Sequence, residues 1–177
     1  MFLMKYLVKF FVVTFFIFIS THTFAEQTIV VLDMKYVLNN SKAGKGAQDY
    51  LKKSFNDNAK KFSDMEKALK KEESDLLAKK NILSKEEYSK KSDALRKKVI
   101  DYQSQRRSSL DKIATLRSKS RETLLGKIRP IVDAYINENN IALVIDKKEM
   151  IGGLTKYDIT DIIIEKLNKE LPSLKLQ

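Results

Sequence analysis

Apolar positions along this chain follow three different rhythms, and each predicts a different kind of element. The run Ile29-Val30-Val31-Leu32 is continuous, largely β-branched and bounded by polar residues, so it predicts a short buried strand. A helical turn through Tyr36, Val37 and Leu38 should follow. From Ser41 to about Arg129 the rhythm becomes one of sevens. Phe55, Phe62, Leu69, Leu76 and Leu83 recur at intervals of seven, and Leu51 and Met65 stand four residues before two of them. That spacing is the seam of a coiled-coil helix, interrupted at the polar seam positions Asn58 and Glu72. Ser84-Lys85-Glu86-Glu87 then has the capping-box arrangement that starts a new helix. The second helix carries its own series, Tyr88, Leu95, Tyr102, Ser109 and Leu116, with Val99 and Ile113 beside it and Arg106 in the seam.

Two such helices joined by a short turn bring their seams together only by folding back, which predicts a hairpin arm on the order of 60 Å long. Gly44, Gly46 and Gly126 are the only glycines in this zone, and it holds no proline. Pro130 falls near the base of the second helix, where its missing donor should kink or end a turn, although Ile131, Val132, Tyr135 and Ile136 continue the apolar face. Beyond it the third rhythm returns to short runs: Ile141 to Ile145, a second extended piece around Met150 to Leu154, and a last helix with Ile159, Ile162, Ile163 and Leu167 on one face, capped by Asp158 or Thr160. The strands from the two ends should pair. The fold class is therefore α+β, mostly α, with a small sheet body built from residues 26–41 and 130–177 and a coiled-coil hairpin arm over 42–129.

The N-terminus changes which residues count. Lys5 and Lys9, the apolar run Phe10 to Ile19 and the ending Thr23-Phe24-Ala25 have the layout of a secretory signal, with cleavage between Ala25 and Glu26. An apolar run of ten residues is well short of the roughly 20 that a membrane-spanning helix needs. Trimming removes the sole histidine, His22, and leaves Phe55 and Phe62 as the only phenylalanines. Without Cys there is neither a lipid-modified first residue nor a disulfide framework, so stability must come from packing or association. Without His or Cys the commonest general base, thiol nucleophile and zinc ligands are absent, so no enzyme activity, metal or cofactor is expected. Ala43-Gly44-Lys45-Gly46 lacks the spacer of a phosphate loop, Lys119, Ser120 and Arg121 have no oxyanion site to serve, and neighbours such as Glu72 and Glu73 diverge around a helix.

Charge then separates arm from body. Residues 42–129 hold 25 Lys and Arg against 13 Asp and Glu, whereas both flanking segments are slightly acidic. Pairs such as Glu66 with Lys70 and Glu86 with Lys90 explain balanced charge but not this surplus. The surplus should attract anionic partners in a salt-dependent way. The candidate anion- and client-binding residues are Lys79, Lys80, Lys85, Lys90, Lys91, Arg96, Lys97, Lys98, Arg106 and Arg107. Basic helices also bind nucleic acid, but export argues against that partner. A structural coiled-coil adaptor, holding one folded partner through the arm tip around Leu83 to Tyr88, is the competing reading.

The order strand, basic helical hairpin, strand, terminal helix resembles the Skp (OmpH) family of periplasmic chaperones. The likeness is carried by Ile29-Val30-Val31-Leu32-Asp33-Met34, Tyr36-Val37-Leu38 and Ser41-Lys42-Ala43-Gly44-Lys45, and at the other end by Leu143-Val144-Ile145-Asp146 and Asp158-Ile159-Thr160. It implies a homotrimer whose strands form a small central barrel, three arms around a cavity, and ATP-independent holding of unfolded outer-membrane proteins. The family also has a proposed lipopolysaccharide site, so anionic lipid or lipopolysaccharide joins the expected partners. Ile29, Val31, Leu143 and Ile145 are the expected oligomerisation core.

Overall fold

A computed structural model describes residues 28–176; the expected signal segment and the expected cut between Ala25 and Glu26 lie outside the described residues. Strand β1 (Thr28–Leu32) leads into helix α1 (Met34–Asn40), and the long helices α2 (Lys42–Ala78) and α3 (Lys85–Glu138) follow, joined by a short turn. Strand β2 (Ile141–Asp146), two single 3-10 turns and helix α4 (Thr160–Glu170) complete the order.

The expected pairing of the chain ends is present. β1 and β2 form a parallel two-stranded sheet, with Ile29 opposite Leu143, Val30 opposite Val144 and Val31 opposite Ile145. Parallel strands need a long crossover, and the whole hairpin serves as that crossover. Alternation along the strands sends Val30, Leu32 and Val144 toward the core, where Val37, Ile128, Ile163 and Leu167 are fully buried against Leu124, Ile131, Ile141 and Ile159. The body is thus small, and α3 contributes the base of its length to it.

Polar bonds lock the chain ends to each other. The Asp33 amide donates to Thr160 Oγ1 at 2.9 Å across 127 positions of sequence, and the Ile159 amide donates to the Val31 carbonyl at 2.9 Å. The N-terminus of α2 is capped twice: Ser41 Oγ accepts from the Gly44 amide at 3.2 Å, and Asn168 Oδ1 from α4 accepts from the Lys42 amide at 2.6 Å. A Cβ at Gly44 would collide with the Leu38 carbonyl, so only glycine lets α2 start this close to the end of α1.

The structure sharpens the sequence reading in four places. Pro130 does not end α3: the helix runs on to Glu138, because Ile128 and Ile131 on either side are held in the core. The expected extended piece at Met150 to Leu154 has Met150 and Leu154 in extended backbone and links two 3-10 turns, with Ile151 fully exposed. Ile162 is 40% exposed, so the buried face of α4 is Ile159, Ile163 and Leu167. Asp158 does accept from the Thr160 amide at 2.9 Å, but the Thr160 side chain is turned to the Asp33 amide instead of capping its own helix.

Candidate functional site

The arm is built as its seams require, with polar repairs. Phe62 and Tyr102 meet edge to face with centroids 6.0 Å apart, and Leu51, Leu76, Leu95 and Ile113 are buried along the same contact. Glu72, a polar interruption in the seam of α2, is met by Lys98 of α3 at 2.6 Å. Tyr102 donates its hydroxyl to Glu66 at 3.4 Å, and Glu66 also pairs with Lys70 at 2.7 Å. The hydrogen bond and charge of Lys70 hold the Glu66 carboxyl below its ordinary pKa. Phe55 departs from the seam: it is 51% exposed although it keeps the sevenfold spacing.

At the far end, Ser84 and Glu87 form the complete capping box, with the Glu87 amide bonded to Ser84 Oγ at 3.2 Å and the Ser84 amide bonded to Glu87 Oε2 at 3.1 Å. The Ser84 bonds lower the Glu87 pKa. The turn ahead of the box exposes Ile82 to 81% between lysines.

The basic residues expected to bind anions separate into two groups. Lys79, Lys80, Lys85, Lys90, Lys91, Lys97, Arg106 and Arg107 are exposed, spread from the turn along α3. Lys98 and Arg96 are also exposed but paired within the chain, with Glu72 and with Asp93 at 3.3 Å. Lys98 is therefore a cross-helix tie rather than a free cation, because its position on α3 falls opposite the seam gap at Glu72. No Glu86–Lys90 ion pair occurs among the described residues.

The outer face of the sheet is the second surface. Ile29 and Leu143 lie opposite each other and are 47% and 52% exposed, while Val31 is buried and Ile145 half-buried. All four expected oligomerisation residues share this face. With Met150, Leu154 and Tyr157, three of them, Ile29, Val31 and Ile145, border a groove of about 580 Å³. Lys147 ties the end of β2 to Asp158 at 2.7 Å. Burial pushes the Asp158 carboxyl up, but the hydrogen bonds from Lys147 and Thr160 outweigh it and leave the pKa below its ordinary value. The same contact raises the Lys147 pKa.

Residues 28–167 match the outer membrane protein (OmpH-like) family. The chain belongs to that family. Among solved structures, the OmpH-like fold here is similar to one from Caulobacter crescentus CB15 assigned as an outer membrane chaperone (OmpH-like), with a TM-score of 0.77, 17% identity, and coverage of 88% of this chain and 92% of that one. No curated protein matches the chain. The family match runs from the first residue of β1, Thr28, to the last buried residue of α4, Leu167, so it spans the arm and both halves of the body.

Sequence reasoning missed one feature of this OmpH-like chain. At the root of the arm, Arg117 and Arg121 of α3 border a groove of about 670 Å³ together with Leu51 and Phe55 of α2. The signal was present in the i,i+4 spacing of the two arginines, but nothing in the chain order shows that α1 and α2 close a groove beside them.

Proposed function

We propose that this chain is an exported, ATP-independent holdase that carries unfolded outer-membrane proteins through the periplasm. Three copies would join through the body, leaving their antiparallel arms to enclose the client. The observation that carries the reading is the combination of a basic, thinly packed arm with an apolar sheet face left open on the body. A two-stranded sheet is marginal by itself, and β2 has no partner on its second edge among the described residues. Assembly through Ile29, Val31, Leu143 and Ile145 would cover that face and edge.

The arm supports the holding half. Exposed lysines and arginines draw in acidic precursors, and exposed apolar arm residues such as Phe55 and Leu110 cover apolar segments. Many weak contacts of this kind retain a client while each one releases quickly. The test is light scattering of an aggregating outer-membrane protein in the presence of the mature chain. Aggregation should be suppressed at about one trimer per client, and suppression should weaken as salt rises. Unchanged aggregation overturns the proposal; suppression indifferent to salt overturns its electrostatic half.

The exposed Ile82 at the arm tip favours one other reading, an envelope adaptor that seats its tip on a folded partner. Ile82→Asp separates the two, since an adaptor would lose its single partner whereas a holdase would keep suppressing aggregation.

A further inference from the structure

The groove at the root of the arm carries more than its share of unexplained chemistry. Its floor is apolar, made by Leu51, Phe55 and Leu124. Leu51 and Leu124 are buried, but Phe55 leaves about half of its surface in solvent beside them. An exposed ring in a wall of otherwise covered side chains is stabilised when a second apolar group lies against it.

On the α3 side stand Arg117 and Arg121, one helical turn apart and so on one face of the helix. Elsewhere on the arm, Arg96 and Lys98 have carboxylate partners, but neither of these guanidiniums has an ion pair among the described residues. Lys52 adds a third cation, and the rim holds a single carboxylate, Asp49. The local excess is positive, beside an apolar floor. The α1 side is closed by a side-chain amide pair, in which Gln48 Nε2 donates to Asn39 Oδ1 at 2.7 Å. That bond uses neither the Asn39 amide nitrogen nor the Gln48 carbonyl oxygen of these two lining residues, one donor group and one acceptor of the kind a peptide backbone uses.

We infer that this groove is a binding subsite for an extended, unfolded peptide segment in which an aromatic side chain is flanked by carboxylates. The ring packs on Phe55 and Leu51, a carboxylate is held by Arg117 and Arg121, and the main chain bonds the Asn39 and Gln48 amides. The volume of about 670 Å³ suits one or two side chains with their backbone. The amide pair favours a peptide over an anionic lipid, which offers no backbone to bond. This inference deepens the holdase reading and rests on it for the identity of the peptide as part of a client.

The experiment is fluorescence anisotropy of the full mature chain with a labelled, N-acetylated ten-residue peptide alternating Asp with Tyr and Thr. A scrambled peptide with Lys in place of Asp and vesicles of anionic phospholipid serve as the other probes. Arg117→Gln with Arg121→Gln should weaken the acidic peptide about tenfold and flatten its salt dependence. Phe55→Ser, at a half-exposed position, should weaken it at every salt concentration. Lys169→Gln with Lys175→Gln, exposed on the body away from the groove, should leave it unchanged. Equal binding by the arginine variant, equal loss in the body variant, or capture of the vesicles with no peptide binding would each overturn the subsite. Aggregation suppression measured on the same samples keeps the two ideas apart. A parent chain that suppresses aggregation while its groove variants bind peptide normally refutes the subsite alone. A parent chain that binds peptide through the groove yet suppresses nothing refutes the holdase reading instead.

Discussion

At the scale of single residues, a few polar contacts hold positions that apolar packing does not reach. Ser84→Ala removes the hydroxyl that accepts from the Glu87 amide, at a typical cost of about 1 kcal/mol for a helix cap. The loss should be confined to the arm tip, so amide exchange should quicken for residues near 84–88 while the body is unchanged. Asp158 gives a pH signature. Its folded pKa lies below the ordinary 3.8, so the stability it contributes is fully present above that value and is lost as pH falls through the lower, folded value. Lys147 behaves oppositely: its contribution holds below 10.5 and disappears as pH rises through its raised pKa. Asp158→Asn should therefore flatten the dependence of the melting temperature on pH in the acid limb below about 4, which thermal denaturation across a pH series would check.

At the scale of elements, the two long helices were legible because their seams repeat in sequence, and the capping box at Ser84 marked the second start without any tertiary information. The body was legible only in outline. That β1 pairs with β2 follows from two β-branched runs, and the segment after β2 is extended at Met150 and Leu154, though it joins no sheet among the described residues. Pro130 does not end its helix. Its ring removes one donor, but Ile128 and Ile131 anchor the helix in the core on both sides of it. In the candidate site, the basic surplus was visible as composition, whereas the capture of Lys98 by Glu72 and the placing of Arg117 and Arg121 beside Phe55 depend on which helix faces meet. The hierarchy of these contacts is testable. Ile128→Ala in the fully buried core should cost about 2–5 kcal/mol, and Lys98→Ala in the exposed tie less than about 1 kcal/mol, both read from denaturant midpoints.

At the scale of the whole molecule, the body is short of apolar burial and open on one face. Val31→Asp should place a charge in a buried site and yield monomers, and Leu143→Asp should do so only if its exposed face is covered in an assembly. Sedimentation velocity decides both. A folded Leu143→Asp chain that still sediments as a trimer would remove that face from the interface. The parallel pairing of Thr28–Leu32 with Ile141–Asp146 has a further consequence, for the order in which the protein can fold. The hairpin closes through neighbours in sequence, a fast step, but β1 is made first and can find its partner only after both long helices have been delivered. Loop closure is shortened when the hairpin forms early, since its two ends then lie side by side. Until that moment Ile29 to Leu32 is an apolar strand without its partner. The molecule proposed to shelter unfolded neighbours thus begins its own existence with an exposed strand that folds last.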